Sequence, residues 1–185
     1  MQESLITKKI IAYALKSLMT TTPFTKITIR QIMETADIRR QTFYNHFQDK
    51  YELLTWIYQQ EISENISDFL DYEEWHNVIL RILDYFYHNQ PFYRNAFAFS
   101  EQNSFDHYFL EHTNGLIKTI ASDITKKAGK QLTVSQLTFP TEFYSHAFVG
   151  VTKNWLTNGC PEEPVILAAQ ISTTLENALA GALIP

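Results

Sequence analysis

Apolar residues recur every three to four positions along most of the chain, which is the spacing that one face of an α-helix requires. Strand-like alternation of apolar and polar residues is hard to find. The first apolar run comprises Ile6, Ile10, Ile11, Ala14, Leu15 and Leu18. The pattern predicts an all-α protein of about nine helices. Their expected ranges are 4–20, 28–35, 39–46, 50–70, 74–88, 91–98, 104–128, 137–158 and 162–182.

Prolines mark the expected ends of these helices. All five glycines lie at or beyond Gly115, so the first 114 residues contain no glycine turns. Proline interrupts a helix because it lacks a backbone N–H. The prolines that we expect to separate helices are Pro23, Pro91, Pro140, Pro161 and Pro164.

Two short helices near the N-terminus carry the most specific local signal. Thr28 is a suitable N-cap for the first of them, and the second is expected to begin around Arg39. Asp37 lies in the turn between them, where we expect a positive φ that aspartate tolerates better than a branched residue. Two short helices joined by a tight turn, after a longer helix, are typical of a helix-turn-helix whose second helix enters the DNA major groove.

Phe43 and Phe47 are four residues apart and, together with Ile38, are expected to anchor the second helix to the core. The side chains left facing outward suit base edges, since arginine pairs with guanine, glutamine or asparagine with adenine, and the threonine methyl with thymine. The predicted base contacts are Arg39, Arg40, Gln41, Thr42 and Asn45. The predicted phosphate contacts are Thr28, Tyr44, His46 and Lys50. A solvated helix face would explain any one of these residues, but it explains the set less well.

Charge is unevenly distributed along the chain. Residues 1–60 hold eight Lys/Arg and five Asp/Glu, a net of +3, whereas the remaining 125 residues hold seven and fifteen, a net of −8. A basic head on an acidic body indicates that only the head meets a polyanion. The main alternative to DNA binding is a helical adaptor, a protein-interaction module whose basic head contacts an acidic protein.

The segment TIRQIMETADIRRQTFYNHFQDKYELL resembles the DNA-binding signature of TetR-family transcriptional regulators. The matching positions are Thr42, Tyr44, His46, Phe47, Lys50, Leu53 and Leu54. Two departures stand out: Asp37 replaces the glycine common in the turn, and Arg39 replaces the serine that commonly caps the recognition helix. The run IRRQTFYN and the overall length are similar to the subgroup of dihydroxyacetone kinase regulators.

The resemblance implies a helix-turn-helix DNA-binding domain over residues 1–50 and a larger helical regulatory and dimerisation domain over 51–185. It also implies a homodimer, with the last two helices packed against their mates, that binds a palindromic operator in double-stranded DNA. The expected interface residues are Phe148, Trp155, Val165, Ala168, Ile171, Leu175 and Leu179. The alternative is that the final helix lies across its own core.

The middle of the chain is rich in aromatic residues, and a sensing function would reside there. The candidate lining of a ligand pocket is Phe92, Tyr93, Phe97, Phe105, Tyr108, Phe109, Tyr144 and Phe148. Aromatic residues at helical spacing are more often plain core, so both interpretations stay open. Control by a small-molecule effector and control by a co-regulator protein also both stay open.

Motifs for catalysis or metal binding are absent from the sequence. His107/Glu111 and Glu142/His146 each supply only two ligands at helical spacing, and no His-Glu-x-x-His or Gly-x-Ser-x-Gly occurs. We therefore expect no enzyme activity, no cofactor and no metal site. The single cysteine, Cys160, and the lack of a long apolar segment favour a cytoplasmic protein without membrane association.

Overall fold

The computed structural model describes residues 2–65, 74–98, 105–127, 129 and 133–182. Nine α-helices and one short 3-10 helix form this part of the chain, which contains no strand. The all-α prediction is therefore confirmed. The helices are α1 Gln2–Met19, α2 Ile29–Thr35, α3 Arg40–Phe43, α4 Lys50–Asn65, α5 Trp75–His88, α6 Gln90–Phe97, α7 Phe105–Lys127, α8 Val134–Thr157 and α9 Pro164–Ala182, with the 3-10 helix at Phe24–Lys26.

The first three helices, here called the head, share one apolar core. Helix α1 packs against α2, and α2 packs against α3. The four-residue α3 is too short to be stable on its own. Helix α3 is therefore held in place by the apolar side chains that all three helices bury against α4. The buried set comprises Ile11, Leu15, Ile32, Met33, Phe43, Phe47 and Leu53.

Helices α4 to α9, here called the body, form a larger bundle in which α7 packs along α8 and α5 packs along α9. Helix α5 shows how the sequence produces this arrangement, because its buried residues follow the helical repeat and line one face. They are Trp75, Val78, Ile79, Ile82, Leu83 and Phe86. Helix α6 also contacts α1, so it connects the body to the head.

The predicted pocket aromatics lie mainly within the body core. Phe97 and Phe105 have ring centroids 4.8 Å apart at an edge-on angle, and Phe97 and Phe109 are 5.4 Å apart in the same manner. Such edge-to-face pairs fill space efficiently and stabilise a core beyond simple area burial. The members that are buried are Phe92, Tyr93, Phe97, Phe105, Phe109 and Phe148, while Tyr108 and Tyr144 are half-buried.

Two local predictions were wrong. Pro140 does not separate helices but lies inside α8, which begins at Val134. Thr133 starts this helix upstream of the proline through a capping box with Gln136. Pro140, the seventh residue of α8, removes one intrahelical hydrogen bond and crowds the preceding turn, but the helix continues through it. Helix α3 ends at Phe43, and turns, not α-helix, continue to residue 46. The predicted residues 66–70, 104 and 128 lie outside the described residues.

No helix within the described ranges is both long and apolar enough to span a membrane.

Candidate DNA-binding surface

Thr28 caps α2 as the sequence predicts. Its hydroxyl oxygen accepts from the backbone N–H of Gln31 at 3.2 Å, and the Gln31 side-chain oxygen accepts from the Thr28 N–H at 2.9 Å. This reciprocal pair satisfies two donors that the start of a helix would otherwise leave free. The first helix of the helix-turn-helix therefore begins at a fixed point.

The turn after α2 is a Schellman motif with aspartate at the left-handed position. Asp37 has a φ of 53°, which confirms the predicted positive φ. The N–H of Ile38 donates to the Met33 carbonyl at 3.1 Å, and the N–H of Asp37 donates to the Glu34 carbonyl at 3.3 Å. These two bonds are the pair that defines the motif. They set the direction in which the chain enters α3.

Helix α3 is held by its underside. Phe43 and Phe47 are 0% and 2% exposed, and their ring centroids are 5.7 Å apart, so the predicted anchoring is confirmed. Arg39 occupies the N-cap position without a side-chain cap, as its departure from serine suggests. Packing rather than capping thus keeps this short helix in place.

The opposite side of α3 presents the predicted base-contacting residues to solvent. Arg39, Arg40, Gln41 and Asn45 are exposed and Thr42 is half-buried. The five therefore lie together at the protein surface, on and beside one short helix. This is the donor and acceptor set that reads base edges in a major groove.

Two of the predicted phosphate contacts, Tyr44 and His46, lie beside α3. The other two, Thr28 and Lys50, make hydrogen bonds to the backbone around the start of α2. Tyr44 is 52% exposed, with its hydroxyl 3.5 Å from Arg40 Nη2, and His46 is half-buried beside α3. Thr28 uses its hydroxyl in the α2 capping box. Lys50 Nζ donates to the carbonyl oxygens of three residues in the segment before α2. Any effect of Lys50 on DNA affinity is therefore expected to come from positioning that segment.

Sequence reasoning missed a cluster of polar contacts at the place where the head meets the body. The Lys16 ammonium of α1 forms an ion pair with the Glu61 carboxylate of α4 and donates to Asn89 Oδ1 at 3.1 Å. The hydroxyl of Tyr93 donates to the other oxygen of Glu61. The Tyr93 phenol is protonated at neutral pH, and burial raises its pKa well above the ordinary value. No local motif signals these pairings.

The predicted interface residues on α8 and α9 also divide into two groups. Phe148, Trp155, Ala168 and Leu175 are buried within the chain's own fold. Val165 is exposed and Ile171 is half-buried, while the side chain of Leu179 lies outside the described residues.

A shallow groove of about 210 Å³ runs between α8 and α9. Its lining includes Tyr144, Ala147, Val151, Leu167, Gln170 and Ile171.

A larger cleft of about 590 Å³ lies where the head meets the body, between α1, α4 and the start of α6. Of the predicted pocket aromatics, only Phe92 lines this cleft, and Tyr144 and Phe148 line the α8–α9 groove.

Within the described ranges, no three His, Cys, Asp or Glu side chains are grouped closely enough to hold a metal ion.

The exposed α3 surface and the all-helical body agree with the comparisons to known proteins. Residues 11–55 match the family described as bacterial regulatory proteins, tetR family, and residues 73–177 match a family described as transcriptional regulator C-terminal region. The chain belongs to the TetR family of DNA-binding transcriptional regulators.

Individual relatives make the comparison more specific. The chain is 37% identical to the HTH-type dhaKLM operon transcriptional activator DhaS of Lactococcus lactis subsp. lactis (strain IL1403), over 86% of this chain and 84% of that protein. It is similar to the solved structure of dihydroxyacetone kinase operon activator DhaS, with a TM-score of 0.79, 35% identity and coverage of 95% and 97%. The fatty acid degradation regulator FadR from Bacillus halodurans shares the fold, with a TM-score of 0.65 at 11% identity over 92% and 94%.

Proposed function

We propose that this regulator acts as a homodimer that binds a palindromic operator through α3 of each subunit. The observation that carries the proposal is the solvent-facing set Arg39, Arg40, Gln41 and Asn45, on a short helix pinned by Phe43 and Phe47. A two-fold dimer presents two such helices to successive major grooves, which requires a symmetric site. The α8–α9 groove and the exposed Val151, Val165 and Ile166 support a helix-to-helix dimer contact.

We further propose that residues 1–50 form the DNA-binding domain and 51–185 the regulatory and dimerisation domain. The relative with 37% identity is named an activator of the dhaKLM operon. This likeness supports a role in the cytoplasm in controlling genes of dihydroxyacetone metabolism. Control of that role would pass through the body, by a small-molecule effector or by a co-regulator protein.

Selection of DNA fragments by the purified chain tests the proposal. Random duplexes retained by the protein are sequenced, and the recovered site is then titrated by fluorescence anisotropy at rising salt. We expect an inverted repeat whose half-sites are about one helical turn apart. We also expect affinity to fall steeply with salt, because each phosphate contact releases a counterion.

Two outcomes would contradict the proposal. Recovery of no common sequence would remove the role of α3 as a reading helix. Binding that ignores salt would favour the alternative of a helical adaptor for an acidic protein.

A further inference from the structure

Asn95, in the body helix α6, makes three hydrogen bonds to the backbone of the head. Its Nδ2 donates to the Met19 carbonyl at 2.8 Å and to the Thr22 carbonyl at 2.7 Å. Its Oδ1 accepts from the N–H of Phe24 at 2.9 Å. The three partners lie 71 to 76 positions earlier in the chain, so no local feature of α6 requires them.

The chemistry of the partners fixes the orientation of this amide. Carbonyl oxygens only accept and a backbone N–H only donates, so a flipped carboxamide would lose all three bonds. Met19 is the last residue of α1, where helical carbonyls lack an intrahelical partner. Asn95 therefore closes the end of α1 and holds the first residue of the 3-10 helix with one side chain.

The same segment is held on its other side by α4. Lys50 Nζ donates to the carbonyl oxygens of Phe24 at 2.9 Å and Ile27 at 2.8 Å. The Phe24 ring is 1% exposed and meets Tyr51 edge-on at 5.3 Å. The segment 23–27 is thus fixed between α6 and α4. It leads directly into Thr28, the N-cap of α2.

We infer that Asn95 is a positioning residue for DNA binding. By fixing the segment 23–27 against α6, it sets the orientation of α2 and α3 relative to the body. In the dimer, the two bodies are joined, so this orientation determines the separation of the two α3 helices. The inference rests on the proposed function, because a preferred separation matters only for a dimer on a two-part site.

A second contact between head and body allows Asn95 to be changed without detaching the head. The Lys16–Glu61 ion pair joins α1 to α4. Lys16 also donates to Asn89, the residue that precedes α6. Buried apolar residues of α1 also remain in the shared core. Loss of Asn95 is therefore expected to leave the chain folded while loosening the direction of the helix-turn-helix.

The test compares Asn95→Ala and Asn95→Asp with Asn77→Ala, which removes an exposed asparagine of α5. The aspartate variant keeps an acceptor for Phe24 N–H but sets a carboxylate against two carbonyl oxygens. Each full-length protein is titrated against the selected duplex and against versions whose half-sites are moved by one or two base pairs. Circular dichroism and thermal melting report folding.

We expect both Asn95 variants to bind the selected spacing roughly two- to thirtyfold more weakly. Their preference for that spacing should flatten, while affinity for unrelated DNA stays at the wild-type value. Asn77→Ala should match the wild type. Folded Asn95 variants that retain both the affinity and the spacing preference of the wild type would overturn the inference.

Hydrogen exchange of the wild-type Phe24 amide tests the inference if the variants do not fold. Protection of this amide is expected, since its N–H donates to Asn95 Oδ1 at 2.9 Å. Exchange at the rate of an unstructured peptide would overturn the positioning role. A wild type without any spacing preference would instead overturn the proposed dimeric operator binding, so the two failures are distinguishable.

Discussion

Lys50, the first residue of α4, donates from Nζ to the carbonyl oxygen of Ile27 at 2.8 Å. The same ammonium group donates to Phe24 and Thr25, and it lies 4.7 Å from the centroid of the Phe24 ring. Since an ammonium has three donors, three carbonyls account for all of them. A cation that the sequence assigns to a phosphate thus stabilises the backbone in front of α2.

Replacing Lys50 by methionine keeps the aliphatic stem and removes the donors. We expect the free energy of unfolding to fall by about 1–3 kcal/mol, because carbonyls that are partly buried lose a charged partner. Urea denaturation at neutral pH measures this. The matched control is Lys26→Met, an exposed lysine in the same segment, which should change stability by less than about 0.5 kcal/mol. Equal unfolding free energies for the two variants would rule out the structural role of Lys50.

Arg40→Ala should relax sequence preference more than it reduces overall binding. The exposed guanidinium can bond a guanine as a fork, and such a contact discriminates between bases by about 1–3 kcal/mol. Repeating the fragment selection with the variant should show the loss of preference at one base pair in each half-site. Tyr44→Phe is the comparison, because loss of a phosphate donor should weaken binding to all sequences alike. An equal loss across every sequence for Arg40→Ala would contradict a base-reading role.

The parts of the site that sequence predicts are those that depend on neighbours in the chain. Thr28 caps α2 because a hydroxyl and Gln31 are three residues apart. Asp37 takes a positive φ because a short turn demands it. The buried positions of Phe43 and Phe47 follow from their four-residue spacing. Each of these predictions needs only local stereochemistry.

The missed features depend on which helices pack together. Asn95 looks like an ordinary polar residue in the sequence, and Lys50 like a phosphate contact. Their contacts to the segment 23–27 become visible only when α6 and α4 pack against it. Periodicity likewise shows that Phe148 and Trp155 are apolar positions, but not which neighbour covers them. In the structure the chain's own helices bury both. Apolar spacing predicts burial and leaves the partner open.

Tyr58 and His112 connect α4 to α7 through a hydrogen bond of 2.9 Å between the tyrosine hydroxyl and Nδ1. Burial lowers the pKa of His112 below its ordinary value of 6.5. The unfolded chain therefore binds more protons than the native state as the pH falls through this region. The contribution of neutral His112 to the free energy of unfolding is therefore complete above pH 6.5. It is lost as the pH falls toward the pKa of His112 in the native state.

We expect His112→Gln to flatten the decline of stability as the pH falls below 6.5, relative to the wild type. Urea midpoints at several pH values measure the difference between the two slopes. If His112→Gln and the wild type lose stability in parallel, the burial of His112 does not contribute to the pH dependence.

Val151 lies in the α8–α9 groove and is 43% exposed in the single chain. In the proposed dimer a helix of the second copy would cover it. Val151→Glu would then place a charge in an apolar contact, which is costly without a partner. We expect sedimentation at micromolar concentration to show monomers for this variant and dimers for the wild type. The monomeric variant should also bind the operator more weakly, because a single head makes only half of the contacts. Thr119→Glu, at an exposed position of α7, should remain dimeric. A Val151→Glu protein that sediments as a dimer would place the subunit contact on a different surface.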